Sequence, residues 1–281
     1  MAIIILLLTV FAVRMTHLAH ENRVAMAAEA SGDSSLLLDS DLLRHVQLPF
    51  FRGVDRCKYH SDCFYLDDKG RLAYTSNKCT AVLGMDVSTY QQDVDWARVH
   101  ADGINFVMLR VGFRGYGEEG TLNQDDRFNE YVVGAVNADL HVGVYFFSQA
   151  TTPEEAEEEA AFVLSCIDGL PIDYPVVFDW ESIHHDEART DDLSAETITA
   201  CANAFCRVIQ DAGYHPMVYF STYQGMLVYD LRTLRHYDFW LAQYTDEPYF
   251  SYDYAMLQFT ETGTVDGVDG LVDLDLCFRE Y

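Results

Sequence analysis

Apolar positions recur along this chain with two alternating periods, and the alternation begins near residue 84. Short runs rich in β-branched and aromatic residues predict strands at 84–87, 106–111, 142–147, 176–179, 217–220, 239–243 and 256–259. Amphipathic segments with helical spacing lie between them, at 95–102, 126–138, 153–167, 195–212 and around 223–231. Local chemistry marks their ends. Thr152-Pro153-Glu154-Glu155 supplies an N-cap, a proline at the first helical position and a capping-box glutamate, and Ser194 caps the next helix. Gly169 and Gly213 close the same two helices. Repeated strand–helix units of this length predict a parallel α/β barrel. The stretch 256–276 is strand-rich with no room for helices, so the barrel is expected to be irregular at its end. The fold class is therefore α/β, an irregular single (β/α) barrel of the TIM-like type with a small N-terminal β appendage.

That appendage is read from 50–76, where Asp67-Asp68-Lys69-Gly70 separates two aromatic segments and signals a hairpin. Residues 15–45 are polar, small and aperiodic, as in a linker. The apolar run from Ala2 to Val13 stops at Arg14. As a helix it spans about 18 Å, against about 30 Å for a bilayer core, which fits a signal peptide with small-residue cleavage candidates between Ala25 and Ala30. An uncleaved anchor is the alternative. The organisation expected is 1–45 signal or anchor plus linker, 46–80 hairpin appendage, and 81–281 a barrel able to fold without what precedes it. Export to the cell surface or beyond follows from the apolar run.

Charge narrows the partners. Eighteen basic against 45 acidic residues give a net charge of −27. Such a surface repels nucleic acid and anionic membranes, so no nucleic-acid partner is expected, and membrane contact is limited to the N-terminal segment. Seven cysteines leave at least one thiol unpaired, and an exported protein could use a disulfide among Cys57, Cys63 and Cys79. Cys57 and Cys63 with nearby His60 lack a second ligand pair, and no metal or cofactor is expected. Cys201 and Cys206 lie about 140° apart around a predicted helix and should not pair with each other.

Candidate chemistry centres on Asp179-Trp180-Glu181, at the end of the apolar run 174–178. Alternation along a strand points Asp179 and Glu181 the same way, with Cα atoms roughly 6.6 Å apart. Desolvation and like-charge repulsion favour keeping one of them protonated near neutral pH, as a general acid for glycosidic cleavage requires. Asp86 and Asp273 also lie at strand ends or in short strands, and barrel closure makes the first, middle and last strands neighbours. Tyr145, Phe147, Trp180, Tyr219, Trp240, Gln243 and Tyr244 accompany them. An acidic floor with aromatic walls suits sugar rings. His184-His185-Asp186-Glu187, just downstream, reads as a solvated loop.

Gly84-Met85-Asp86-Val87-Ser88-Thr89-Tyr90-Gln91 followed by Asp95-Trp96, then VGVYFFSQA (142–150), PVVFDWE (175–181), VYFST (218–222), FWLAQY (239–244) and Gly270-x-Val272-Asp273, resemble glycoside hydrolase family 25, the Chalaropsis-type lysozymes or N-acetylmuramidases. The resemblance runs through about residues 82–281. It implies cleavage of the β-1,4 bond between N-acetylmuramic acid and N-acetylglucosamine in peptidoglycan glycan strands, by a monomer. It also implies roles: Glu181 as general acid, Asp179 holding the substrate N-acetyl group, Asp86 and Asp273 completing the acidic floor. Net retention with the substrate acetamide as nucleophile is the mechanism expected. The sequence departs from the family at Tyr131, where relatives often have Asn, and at Asp139, where a helix-ending Gly is common. Two other readings stay open. One is a glycan-binding barrel without turnover. The other is a chitinase-like hydrolase, whose longer acidic run is matched here only at Asp179 and Glu181 among Tyr174, Val177, Asp179 and Glu181.

Overall fold

A computed structural model describes residues 35–37, 47–49, 51–183 and 186–281. The apolar run at 2–13 and most of the 15–45 linker lie outside the described residues, as do His184 and His185. Strands β1 (Ser35–Leu37) and β2 (Gln47–Pro49) pair antiparallel, and β3 (Phe64–Leu66) and β4 (Leu72–Tyr74) form the hairpin expected around Asp67. Among the described residues no helix is long and apolar enough to cross a membrane.

One nine-stranded sheet organises the rest. It comprises β5 (Val82–Val87), β6 (Phe106–Arg114), β7 (Leu122–Gln124), β8 (His141–Ser148), β9 (Val176–Trp180), β10 (Pro216–Ser221), β11 (Asp238–Ala242), β12 (Met256–Gly263) and β13 (Val272–Cys277). Pairing of β5 with β6 closes eight of these strands into a barrel, and β7 hangs from β6 as a short antiparallel arm. The pairs from β5 through β12 around the barrel are parallel. The last strand, β13, runs antiparallel to both neighbours, so the barrel is mixed. Connection length explains the reversal. Only residues 264–271 link β12 to β13, fewer than the dozen or so that a parallel crossover needs. The irregular end anticipated from 256–276 is this reversed strand, and the regular all-parallel TIM-like description does not extend to it.

Helices α1 (Trp96–Ala101), α2 (Phe128–Asn137), α3 (Pro153–Ile167) and α4 (Ala195–Asp211) pack outside the strands, followed by the short α5 (Thr222–Leu227) and α6 (Leu231–Leu234). Thr152 caps α3 by accepting from the Glu155 amide, and Ser194 caps α4 by accepting from the Thr197 amide. The two family departures fit this frame. Asp139 takes φ +60° just after α2, the left-handed position a glycine would fill, and the Tyr131 hydroxyl donates to the Gln92 carbonyl.

Inside the barrel, Phe106, Met108, Val177, Met217, Trp240 and Met256 form a packed column. Gly84 and Gly143 make room for it: a Cβ at Gly84 would meet the Phe106 ring at 2.3 Å, and one at Gly143 would meet Met108 Sδ at 2.5 Å. The described part of the 46–80 segment joins the same core as the barrel, through Phe51, Val54, Tyr59, Leu72 and Tyr74. Tyr59 stacks on Phe278 with centroids 4.1 Å apart and donates to the Tyr254 carbonyl at 2.7 Å. Arg71 ties the hairpin turn to the end of α1 by pairing with both Asp67 and Asp102. Cys57, Cys63 and Cys79 are free thiols, as are the other four cysteines.

Candidate active site

The C-terminal ends of the parallel strands surround a cavity of about 540 Å³. β13 enters it by its N-terminal end because it runs the other way, and register pairs Asp273 directly with Asp86 of β5. Asp179 is the penultimate residue of the wholly buried β9, and Glu181 follows one residue past the strand on the same side. Four predicted carboxylates therefore converge, from three elements. Tyr145, Phe147, Tyr219, Trp240 and Tyr244 join them in the lining.

Two predicted residues stand elsewhere. Trp180 lies between Asp179 and Glu181, so strand alternation turns it to the barrel exterior, where it is buried in the core between strands and helices. Gln243 is also buried, but as a latch: its Nε2 donates to Thr222 Oγ1 at 2.6 Å and its Oε1 accepts from the Tyr249 amide at 2.7 Å. Neither contributes to the cavity wall.

Sequence reasoning passed over several residues of the site. Asp275 sits two positions beyond Asp273 and hence on the same face, a period-2 signal that was available. It is fully buried, and its Oδ1 accepts from Trp240 Nε1 at 2.8 Å. Gln258 of β12 donates from Nε2 to Asp86 Oδ2 at 2.7 Å, while its Oε1 accepts from the Tyr219 and Tyr244 hydroxyls at 2.9 and 3.0 Å. Arg110 brings a cation to the wall. Its guanidinium is pinned by the buried Asp125, with Nε to Oδ2 at 2.8 Å, and lies over the Tyr90 and Phe113 rings. Tyr90, Tyr116 and Glu261 complete the rim, and Tyr90 is 78% exposed. No local pattern in the sequence distinguishes Arg110 or Gln258 from ordinary strand residues.

Two more glutamines fix the acid strand from behind. Gln149 donates to the Glu181 carbonyl at 3.1 Å and accepts from Thr190 Oγ1 at 2.7 Å, and Gln224 donates to the Trp180 carbonyl at 2.9 Å. They hold the backbone just where the β9 ladder ends.

Crowding of acids in a sparsely solvated cleft raises their proton affinities. Burial, then the Glu181 charge, pushes Asp179 well above the ordinary carboxylate range, and Arg110 works against this. Burial followed by the Asp273 charge raises Glu181, whose carboxyl opens to solvent by area yet stands inside the crevice. Asp273 is raised to about 6 by burial and then by Glu261. Asp86 is raised by burial and by Asp275 and Asp273, with the Gln258 hydrogen bond opposing. Asp179 Oδ1 is buried without a hydrogen-bond partner among the described residues. Among those residues no cluster of His, Cys, Asp and Glu is arranged to hold a metal ion. The arrangement offers one solvent-reachable carboxylic acid, an unpaired acceptor beside it, and aromatic walls around both.

A model of the family described as Glycosyl hydrolases family 25 matches residues 85–268. The chain is 27% identical over 194 residues to the autolytic lysozyme of Clostridium acetobutylicum, covering 68% of this chain and 54% of that protein. It is 29% identical over 153 residues to the N,O-diacetylmuramidase of Arthroderma benhamiae, covering 53% of this chain and 61% of that protein. The chain thus spans somewhat more than half the length of each. Among solved structures, the spore cortex lytic enzyme SleM of Clostridium perfringens superimposes with a TM-score of 0.60 at 23% identity, over 70% of this chain and 67% of that one. The modular autolysin LytC of Streptococcus pneumoniae, solved with a synthetic peptidoglycan ligand, gives 0.59 at 17% identity, over 87% of this chain and 58% of that one. At these identities the two structures speak for the fold.

Proposed function

The chain belongs to glycosyl hydrolases family 25 and is a glycoside hydrolase, and on that premise we propose that it cleaves the β-1,4 bond between N-acetylmuramic acid and N-acetylglucosamine in peptidoglycan. The observation carrying this reading is the side-by-side placement of Asp179 and Glu181 in one aromatic-walled cleft, with Asp179 Oδ1 unpaired among the described residues. Glu181 gives its proton to the leaving glycosidic oxygen, and its raised proton affinity keeps that proton available toward neutral pH. Asp179 accepts from the substrate acetamide N–H and orients the acetamide oxygen toward the anomeric carbon. That oxygen bonds to the carbon as the glycosidic bond breaks, forming a cyclic intermediate. Water, losing a proton to Glu181, then opens the ring, so two inversions give net retention. A shared strand face favours this route over inversion, which needs a carboxylate holding water across the sugar at about 6.5–9.5 Å from the acid. Tyr90, Phe113, Tyr116 and Tyr244 offer stacking faces to successive sugars. Action outside the cell, after export, and as a monomer completes the proposal.

Mass spectrometry of fragments released from purified peptidoglycan tests it. Reducing-end muramic acid is expected. Release of reducing-end glucosamine, cleavage of chitin instead, or binding without release would each overturn it. Proton NMR of the first-formed anomer, read before mutarotation, tests the stereochemistry: β first supports retention, α first moves the base role to Asp86 or Asp273.

A further inference from the structure

Gln258 occupies a position in which both ends of its amide are satisfied by groups of opposite kind. Its Nε2 faces one oxygen of Asp86, and its Oε1 receives two phenol hydroxyls, from Tyr219 of β10 and from Tyr244 beyond β11. A primary amide carries two N–H donors at one end and two lone pairs at the other. Turned by half a revolution about Cγ–Cδ, it would therefore still serve both tyrosines, now donating one N–H to each phenol oxygen. The Asp86 side is different. An ionised carboxylate only accepts, so it requires the amide nitrogen, whereas a protonated carboxyl donates and suits the amide oxygen. We propose that Gln258 passes the protonation state of Asp86 to the hydroxyls of Tyr219 and Tyr244, inverting the hydrogen-bond polarity that these two phenols present to the substrate.

With Asp86 ionised, both phenol hydrogens are spent on Gln258, and the phenol oxygens turn lone pairs to the cleft, where they accept an N–H. With Asp86 protonated, its proton points at Gln258 Oε1, the amide N–H groups hold the phenol oxygens, and the two O–H groups point into the cleft to donate to a carbonyl. One proton is taken from solvent and no covalent bond changes. An N-acetyl group carries both an N–H and a carbonyl, so it is the substituent whose recognition this inversion changes. The inference rests on the glycan reading of the cleft given above.

The groups around Asp86 come from several strands, and Asp275 hydrogen-bonds its carboxyl as Gln258 does. Asp273 and Asp275 of β13, Asp179 of β9 and Tyr145 of β8 face Asp86, and the cation of Arg110 on β6 acts on Asp179 and Tyr145. Tyr219 is faced by Glu181, Tyr244, Asp179 and Asp86, and Tyr244 by Asp273, Glu261, Asp86 and Glu181. All of Asp86's charged neighbours named above are acids, which favours uptake of a proton there, and among the described residues the amide that contacts it is Gln258. Burial of Gln258, 5% exposed, leaves water little part in satisfying the amide.

The experiment follows the Gln258 side-chain amide by ¹⁵N–¹H NMR across pH 4–8 in the full chain, with Gln258→Leu to assign the pair. The amide resonances are expected to move in one step whose midpoint matches that of the Asp86 carboxyl ¹³C signal, and the step should vanish in Asp86→Asn. Resonances that stay flat while Asp86 titrates would overturn the proposal, as would an unchanged step in Asp86→Asn. If Asp86→Asn does not fold, agreement or disagreement of the two midpoints in the native chain decides. A second arm uses the N-acetylglucosaminyl–muramic acid disaccharide and its 2-O-acetyl analogue, which keeps the carbonyl and lacks the N–H. The affinity ratio of amide to ester should rise about 3–10-fold on crossing the step toward alkaline pH, the worth of one hydrogen bond. It should stay level in the Tyr219→Phe, Tyr244→Phe double variant. A level ratio in the native chain would overturn the polarity inversion. Neither arm needs catalysis, so an inactive protein with a titrating Gln258 would count against the cleavage reaction and not against this coupling.

Discussion

Asp273→Asn isolates the cost of the acidic floor, because it removes a titrating group and keeps its shape. Asp273 has its proton affinity raised from an ordinary value near 3.8 to about 6 by burial and by Glu261. A group raised in the folded state stabilises fully below its unfolded value, and that stabilisation is lost as pH climbs to the folded value. The window is therefore about pH 3.8 to 6, and above it the native chain carries a full charge the fold disfavours. A shift of about two units corresponds to about 3 kcal/mol at most. Asp273 is only partly buried, so solvent screening reduces this to about 1–2 kcal/mol. The asparagine variant does not titrate, so its stability relative to the native chain should rise by that amount between pH 3.5 and pH 7. Any constant offset from exchanging oxygen for nitrogen cancels in the comparison. Loss of one charge also relieves Glu181, Asp86 and Asp275, for each of which Asp273 is a named source of repulsion, and this adds with the same sign. Urea unfolding of both proteins at half-unit intervals of pH measures the difference, which near neutrality should appear thermally as roughly 2–6 °C in Tm. A difference that is constant with pH, or that falls as pH rises, would refute the reasoning. The same substitution should impair turnover, separating a residue kept for chemistry from one kept for stability.

Glu181→Gln should leave the midpoint of unfolding near that of the native chain and lower kcat by about 10²–10⁴-fold, since the amide has no proton to give; near-native lysis of peptidoglycan suspensions would contradict the assignment. Asp273→Asn also removes the charge that, after burial, raises Glu181, so Glu181 should lose its proton at lower pH and the alkaline limb of the kcat profile should move toward acid; an unmoved limb would break the coupling. Tyr59→Ala, in the segment ahead of the barrel, should cost about 3–5 kcal/mol in chemical denaturation, because it empties a site packed by Tyr74, Tyr254 and Phe278 and deletes the bond to the Tyr254 carbonyl. A cost below about 1 kcal/mol would support a barrel that folds without this segment.

Much of the architecture was legible because its causes are local. Strand periodicity alone puts Asp179 and Glu181 on one face, and the caps at Thr152 and Ser194 act within a single helical turn. The run 153–167 coincides with α3 residue for residue, and the lack of room for a helix in 256–276 already marks an irregular end to the barrel. The resemblance added the order of the motifs, and with it the roles expected of the four converging acids.

What remained hidden depends on which surfaces meet. Trp180 is aromatic and adjacent to two cleft acids, yet alternation sends it outward; a stricter use of the same period would have excluded it and admitted Asp275. Gln243 and Gln258 read alike as strand glutamines, but one ties Thr222 to the Tyr249 amide while the other touches an acid and two phenols. Arg110 becomes part of the cleft only because Asp125, 15 residues on, folds back to pin it. The segment before residue 81 looks detachable in sequence, since its hairpin is self-contained, but Tyr59 reaches Phe278 at the far end of the chain. Local backbone preferences and side-chain period determine which elements form and which way they face. Barrel closure brings together residues almost two hundred positions apart, and only there do burial, charge repulsion and hydrogen-bond pairing acquire their values.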